Sequence, residues 1–140
     1  MTRFLHILGR NERGASIIEF AISVPVLTLF VYGIFVIGQL FEANAGMQHA
    51  LGEGARYATL CLNPSSVTGC SVPTDTAIQT KVSNGLFGTQ SGSWGTPTIS
   101  TSTANKTKTI TVTYSQQMQF LFFTGPTVTL TRSKVVNYAT

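Results

Sequence analysis

Acidic side chains are scarce in this chain. It has a single aspartate, Asp75, and four glutamates, Glu12, Glu19, Glu42 and Glu53. Histidine occurs only at His6 and His49, and cysteine only at Cys61 and Cys70. These shortages remove whole classes of function. General acid–base and nucleophilic catalysis need a carboxylate pair, or a nucleophile beside a base, and no such arrangement stands out. A metal centre needs more ligands at close spacing than two histidines far apart supply. No phosphate-cradling glycine loop appears either, so the chain is expected not to be an enzyme and to need no cofactor. Basic residues outnumber acidic ones by nine to five, giving a net charge of +4. They are scattered from Arg3 to Lys134 without a dense patch, so nucleic acid is not an expected partner.

Charge is missing altogether from residues 20–38. That is about the length a helix needs to cross a hydrocarbon core of ~30 Å. The first fourteen residues, by contrast, hold three arginines against one acid. The positive-inside rule then keeps the N-terminus in the cytoplasm and sends residues 42–140 across the membrane. Glu19 sits at the head of the apolar run. A carboxylate within lipid costs on the order of 3 kcal/mol at the centre of a membrane helix, and less near its end. Such a residue asks for a function.

The apolar run contains Pro25, which removes one helical hydrogen bond and invites a kink. Ser23 and Thr28 can return their hydroxyls to the preceding turn and soften that effect. Gly33 and Gly38 offer flat patches for a neighbouring helix. Beyond residue 39 the composition stays compatible with helix to residue 60 but becomes mixed polar and apolar. Gly46, Ala50, Gly54 and Ala58 recur every four residues and form a stripe of small side chains. The stripe reads either as packing against the protein's own sheet or as a seam for neighbouring helices. Glu53 and Arg56 are placed for a weak intrahelical pair, and His49 with Glu53 reads as a solvated face.

After residue 60 the composition changes. Cys61 and Cys70 flank a loop containing proline and glycine. In an oxidising compartment they are expected to form a disulfide; in a reducing one they would stand as free thiols. Residues 63–76 read as loop, and Thr74 or Asp75 caps a short helix over 77–84 with Gly85 just beyond. Residues 88–105 read as a glycine-rich loop over which Trp94 is buried. Residues 109–114 alternate Ile110, Val112 and Tyr114 with threonines, the period of a strand with one buried face. A second strand covers 127–132, extending toward 138, and 96–102 is a possible third. Phe120, Leu121, Phe122 and Phe123 cannot all face one side of a strand; they either cap the core against the long helix or make an apolar surface needing a partner. The fold expected is α+β: a long N-terminal transmembrane helix packed against a small antiparallel sheet.

A basic leader ending in glycine, a long helix with an early glutamate and a small sheet resemble type IV pilins and pseudopilins. More closely, Arg13-Gly14, Ile18-Glu19-Phe20-Ala21, Pro25 and the later Glu53-Gly54-Ala55-Arg56-Tyr57-Ala58 resemble the TadE-like minor pilins of the tight-adherence (Tad, type IVc) pilus. The resemblance covers residues 13–60 and implies cleavage by a prepilin peptidase between Gly14 and Ala15. Glu19 and Phe20 then become residues five and six of the mature chain and serve assembly. It implies four segments: a leader over 1–14, an assembly helix over 15–41, its continuation over 42–60, and a periplasmic domain over 61–140. Implied partners are the peptidase, other pilins and pseudopilins, the inner-membrane assembly platform, and lipid before assembly. The implied work is pilus assembly or adhesion, from the inner membrane and then within an extracellular pilus. Two other readings remain from the residues alone. Ala43-Asn44-Ala45 has the form of a signal-peptidase site that would release a small secreted binding domain, and the apolar run can also be a plain single-pass anchor.

Overall fold

The computed structural model describes residues 12–65, 69–88 and 91–138. Nearly all of the expected leader therefore lies outside the described residues. One helix, α1 (Glu12–Ala58), runs unbroken through 47 residues. At 1.5 Å per residue it is about 70 Å long. Pro25 lies inside it without ending it, and the Thr28 hydroxyl donates to the Val24 carbonyl at 2.8 Å. The helix closes in a turn, where the Thr59 and Leu60 amides bond the Arg56 and Tyr57 carbonyls.

The rest of the chain forms a short hairpin, a second helix and a sheet. The hairpin pairs β1 (Asn63–Ser65) with β2 (Gly69–Ser71). Next come α2 (Asp75–Asn84), β3 (Gly92–Trp94), β4 (Thr98–Ser102), β5 (Thr107–Gln119) and β6 (Thr124–Asn137). Thr74 is the N-cap of α2, its hydroxyl accepting from the Ala77 amide at 3.2 Å. Such a cap contributes about 1 kcal/mol. In the four-stranded antiparallel sheet β5 is central: β6 runs along one side of it, and β3 and β4 lie along the other. The architecture is thus one long helix plus a small antiparallel sheet, the α+β class expected.

The core forms where the distal half of α1 meets this sheet and α2. Ala43, Met47, Ala50, Leu51 and Ala58 are buried on α1, joined by Ile78 and Val82 of α2 and by Ile110, Val112 and Tyr114 of β5. Spacings of three and four keep the α1 residues on one face. On β5 the period is two, with alternate residues buried from Lys108 to Gln116.

Three stretches differ from the sequence expectation. Residues 63–76 contain the β1–β2 hairpin, whose strands are too short to show an alternating pattern. Residues 88–105 contain β3, a three-residue strand bonded to Tyr114, Ser115 and Gln116 of β5. Both β5 and β6 also run well past 109–114 and 127–132. The largely polar stretch 115–119 hid the continuation of β5, and Gly125-Pro126 hid the start of β6. Proline is admissible there because β6 is an edge strand.

The glycines of α1 divide by position. A side chain at Gly46 would strike the Phe87 carbonyl, and one at Gly54 would strike Val82, whereas Gly52 faces open space. We expect Gly46→Ala to destabilise by about 1–3 kcal/mol, as overpacking against backbone does. Gly52→Ala should be neutral or stabilise by up to about 1 kcal/mol through helix propensity. Thermal unfolding of the detergent-solubilised full chain measures both.

Candidate functional site

Apart from the tip of the β5–β6 hairpin, where Phe120 and Phe123 share a groove with it, the proximal half of α1 has almost no contact with the rest of the chain. Ile17, Ile18, Phe20, Ile22, Leu27, Phe30, Ile34 and Phe35 are all exposed. In water this would be untenable. At about 25 cal/mol per Å², each such side chain gains roughly 2 kcal/mol on leaving water. The helix contains an 18-residue window of mean hydropathy 2.4, only 6% of which is buried by the protein itself. A surface of this kind needs an apolar surrounding, either lipid or other apolar helices.

The motif residues lie on this uncovered part. Gly14 is exposed within the helix, and a Cβ there would meet nothing within 4 Å. Gly33 and Gly38 are equally unconstrained. The side chains of Arg13 and Ala15 lie outside what the structure describes. Glu19, Phe20 and Pro25 are exposed, and among the described residues Glu19 has no hydrogen-bond or ion-pair partner.

The small-residue stripe points the other way, into the protein. Gly46 abuts the backbone of Phe87, and Ala50 lies against Gly85. Gly54 meets Val82 first and Ile110 next, while Ala58 is fully buried. The seam is internal, and its partner is chiefly α2 and the turn after it rather than the sheet. Glu53 pairs with Lys81 of α2 at 3.3 Å instead of with Arg56, and both side chains are half exposed. His49 packs its ring edge-on against Phe87.

Between the two halves of α1 lies a polar joint that sequence reasoning missed. The Gln116 amide donates to the Gln39 side-chain carbonyl at 3.2 Å, and the Tyr114 hydroxyl donates to Gln116 at 3.0 Å. Nearby, Arg132 Nε donates to the Asn44 side-chain oxygen at 2.9 Å. Burial, and then the negative charge of Glu42, push the Tyr114 phenol above the usual tyrosine range. A second buried group, Lys108, bonds the Asp75 carboxylate at 2.5 Å and the Pro73 carbonyl at 3.3 Å. It ties the N-terminus of α2 to β5. The signal for both groups was the strand period: extending the phase of Ile110, Val112 and Tyr114 in each direction lands on Lys108 and Gln116.

Cys61 and Cys70 are disulfide-bonded, with Cα atoms 5.3 Å apart, and close the β1–β2 hairpin. Among the described residues no group of three or more His, Cys, Asp or Glu side chains is arranged to hold a metal.

The architecture is an exposed apolar helix carrying a small α+β domain on its distal half. A family model described as TadE-like protein matches residues 14–56, which span the motif and nearly all of α1. Over that stretch the chain is similar to TadE-like proteins. No curated protein and no solved structure matches the chain.

Two measurements probe the domain. Closing a loop of this length gives a disulfide roughly 2–3 kcal/mol in the chain-entropy model, so Cys61→Ser with Cys70→Ser should lower the unfolding free energy by no more than that. The upward shift of the Tyr114 pKa has a definite sign. Between the unfolded value near 10 and the higher folded one, the unfolded chain binds fewer protons, so Tyr114 makes stability fall as pH rises past about 10. Tyr114→Phe should flatten that limb of the curve in thermal melts at high pH.

Proposed function

We propose that this chain is a minor pilin or pseudopilin of a Tad-type pilus, with a structural rather than catalytic role. The match to a TadE-like family model over residues 14–56 supports involvement in that pilus. In this reading a prepilin peptidase cuts between Gly14 and Ala15, and α1 holds the chain in the inner membrane until assembly. The N-terminus is then cytoplasmic and the domain periplasmic, a location that agrees with the Cys61–Cys70 disulfide.

The observation that carries the proposal is the contrast between the glycines of α1. A glycine inside a helix costs about 1 kcal/mol relative to alanine. Packing within the chain explains Gly46 and Gly54, whereas Gly14, Gly33, Gly38 and Gly52 meet nothing within 4 Å. For the three on the exposed proximal part of α1 we assign an external demand: a peptidase at Gly14, and close helix approach at Gly33 and Gly38. Gly52, on the polar distal half, has no such assignment. Glu19 fits the same logic. Cleavage would create an α-amino group on Ala15, and a neighbouring subunit's glutamate would compensate that charge in low dielectric. Other pilins and the membrane assembly platform are the partners this implies, with no part for nucleic acid.

Release after Ala45 by signal peptidase is disfavoured. Ala43 and Met47 are both fully buried in the core, so the cut would divide one packed face of α1.

In cells containing the peptidase, mass spectrometry should find a mature N-terminus at Ala15. Gly46 there would support secretion, and Met1 or Thr2 a plain anchor. Glu19→Ala should leave cleavage intact while removing the subunit from purified pili; unchanged incorporation would overturn the proposed role of Glu19.

A further inference from the structure

The tip of the β5–β6 hairpin does not sit at the distal, water-facing end of the domain. It lies against the apolar half of α1. Phe120 and Phe123 line a groove of about 440 Å³ whose other walls are Val26, Leu29, Phe30, Gly33, Ile34 and Ile37. The two rings stack at 4.7 Å, and the Phe120 amide bonds the Phe123 carbonyl at 2.9 Å, closing the turn. The flanking residues Leu121 and Phe122 point away from the protein, at 51% and 69% exposure.

Depth along α1 and depth along the hairpin agree. Gln39 and Gln116 are hydrogen-bonded and mark one level. From Gln39 to Phe30 the helix advances about 13 Å at 1.5 Å per residue. From Gln116 to Phe120 the strand also advances about 13 Å, at 3.3 Å per residue. Charge follows the same boundary. On α1 the charges resume at Glu42; on the hairpin no residue between Lys108 and Arg132 is charged, and Arg132 bonds Asn44 at the level where the helix turns polar.

We infer that the hairpin tip is a second membrane contact, with Leu121 and Phe122 entering the acyl region of the outward-facing leaflet beside α1. The inference rests on α1 being a membrane anchor. Lipid, rather than a partner protein, is the occupant because the exposed tip continues the same uncharged zone that the apolar half of α1 presents at that depth. Two attachments to one leaflet would also fix the rotation of the domain about α1, which a lone helix leaves free.

The test uses the full chain in phosphatidylcholine–phosphatidylglycerol vesicles at high lipid dilution, with an environment-sensitive fluorophore on single introduced cysteines. Nitroxides attached along the lipid chains act as quenchers. Ile22→Cys reports the anchor, and Thr103→Cys, in the turn at the opposite end of the hairpin's first strand, reports water. The inference expects Leu121→Cys and Phe122→Cys to be quenched as strongly as Ile22→Cys. Quenching at Ile22 with none at the tip overturns the inference and leaves the anchor reading intact. A blue-shifted but unquenched tip, the mark of a protein neighbour, also overturns it. Absence of quenching at Ile22 removes the anchor reading and the inference together.

Discussion

Because α1 is a single unbroken helix, two surroundings must be satisfied along one axis, and the seam of small residues on its distal half decides how. Gly46, Ala50, Gly54 and Ala58 remove side-chain bulk from one face, so α2 and the turn after it approach the helix backbone directly. That approach brings Val82 and Ile110 onto Gly54 and closes the core. With β5 held there, its partners β3, β4 and β6 follow by register alone. The proximal half carries no comparable stripe facing the protein, and its large side chains stay uncovered. One helix therefore has an inside face for only half its length, and the remainder belongs to whatever surrounds it.

The polar joint sits where these two regimes meet. Gln39 is among the first strongly polar side chains after the apolar run, and it meets Gln116, which ends the buried row on β5. An unpaired amide in a buried position costs about 1–3 kcal/mol, so the pair is worth more as mutual satisfaction than as net attraction. Register is the further consequence. A shift of β5 by one residue would turn Gln116 outward and bring its neighbours inward, orphaning Gln39. Lys108 sets the same constraint at the other end of the buried row through Asp75. Between these two polar pins lie Ile110, Val112 and Tyr114, which supply the apolar burial.

Legibility in the sequence followed pattern length. The uncharged run, the stripe of small residues and the alternation at 109–114 each repeat often enough to predict one long helix and a sheet. The cap of α2 was readable only as Thr74 or Asp75, since either side chain just before a helical segment can accept from its first amides, and the structure selects Thr74. The β1–β2 hairpin and β3 were not readable, since three residues cannot display a period and their pairing depends on a distant strand or a disulfide. Gln116 and Lys108 were hidden for a different reason. Their phase on β5 said buried while their chemistry said exposed, and only the partners Gln39 and Asp75, remote in sequence, resolve the conflict. The motif residues present the reverse case. Gly14, Glu19 and Phe20 were conspicuous in the sequence, and the folded chain gives them no internal work.

That last contrast bears on function more than any pocket does. A residue that is costly where it sits, and that the chain's own packing does not use, has to be explained by something outside the chain. Glu19 is a carboxylate in an apolar segment with no partner among the described residues, and Gly14 is a helix-weakening residue in open space. The glycines and alanines of the distal stripe, by contrast, are accounted for by atoms a few ångströms away. Sorting the two sets by whether a neighbour exists separates what builds the domain from what the domain is built to join. By that criterion the joining surface is the proximal half of α1 itself, and the sheet is the body it carries.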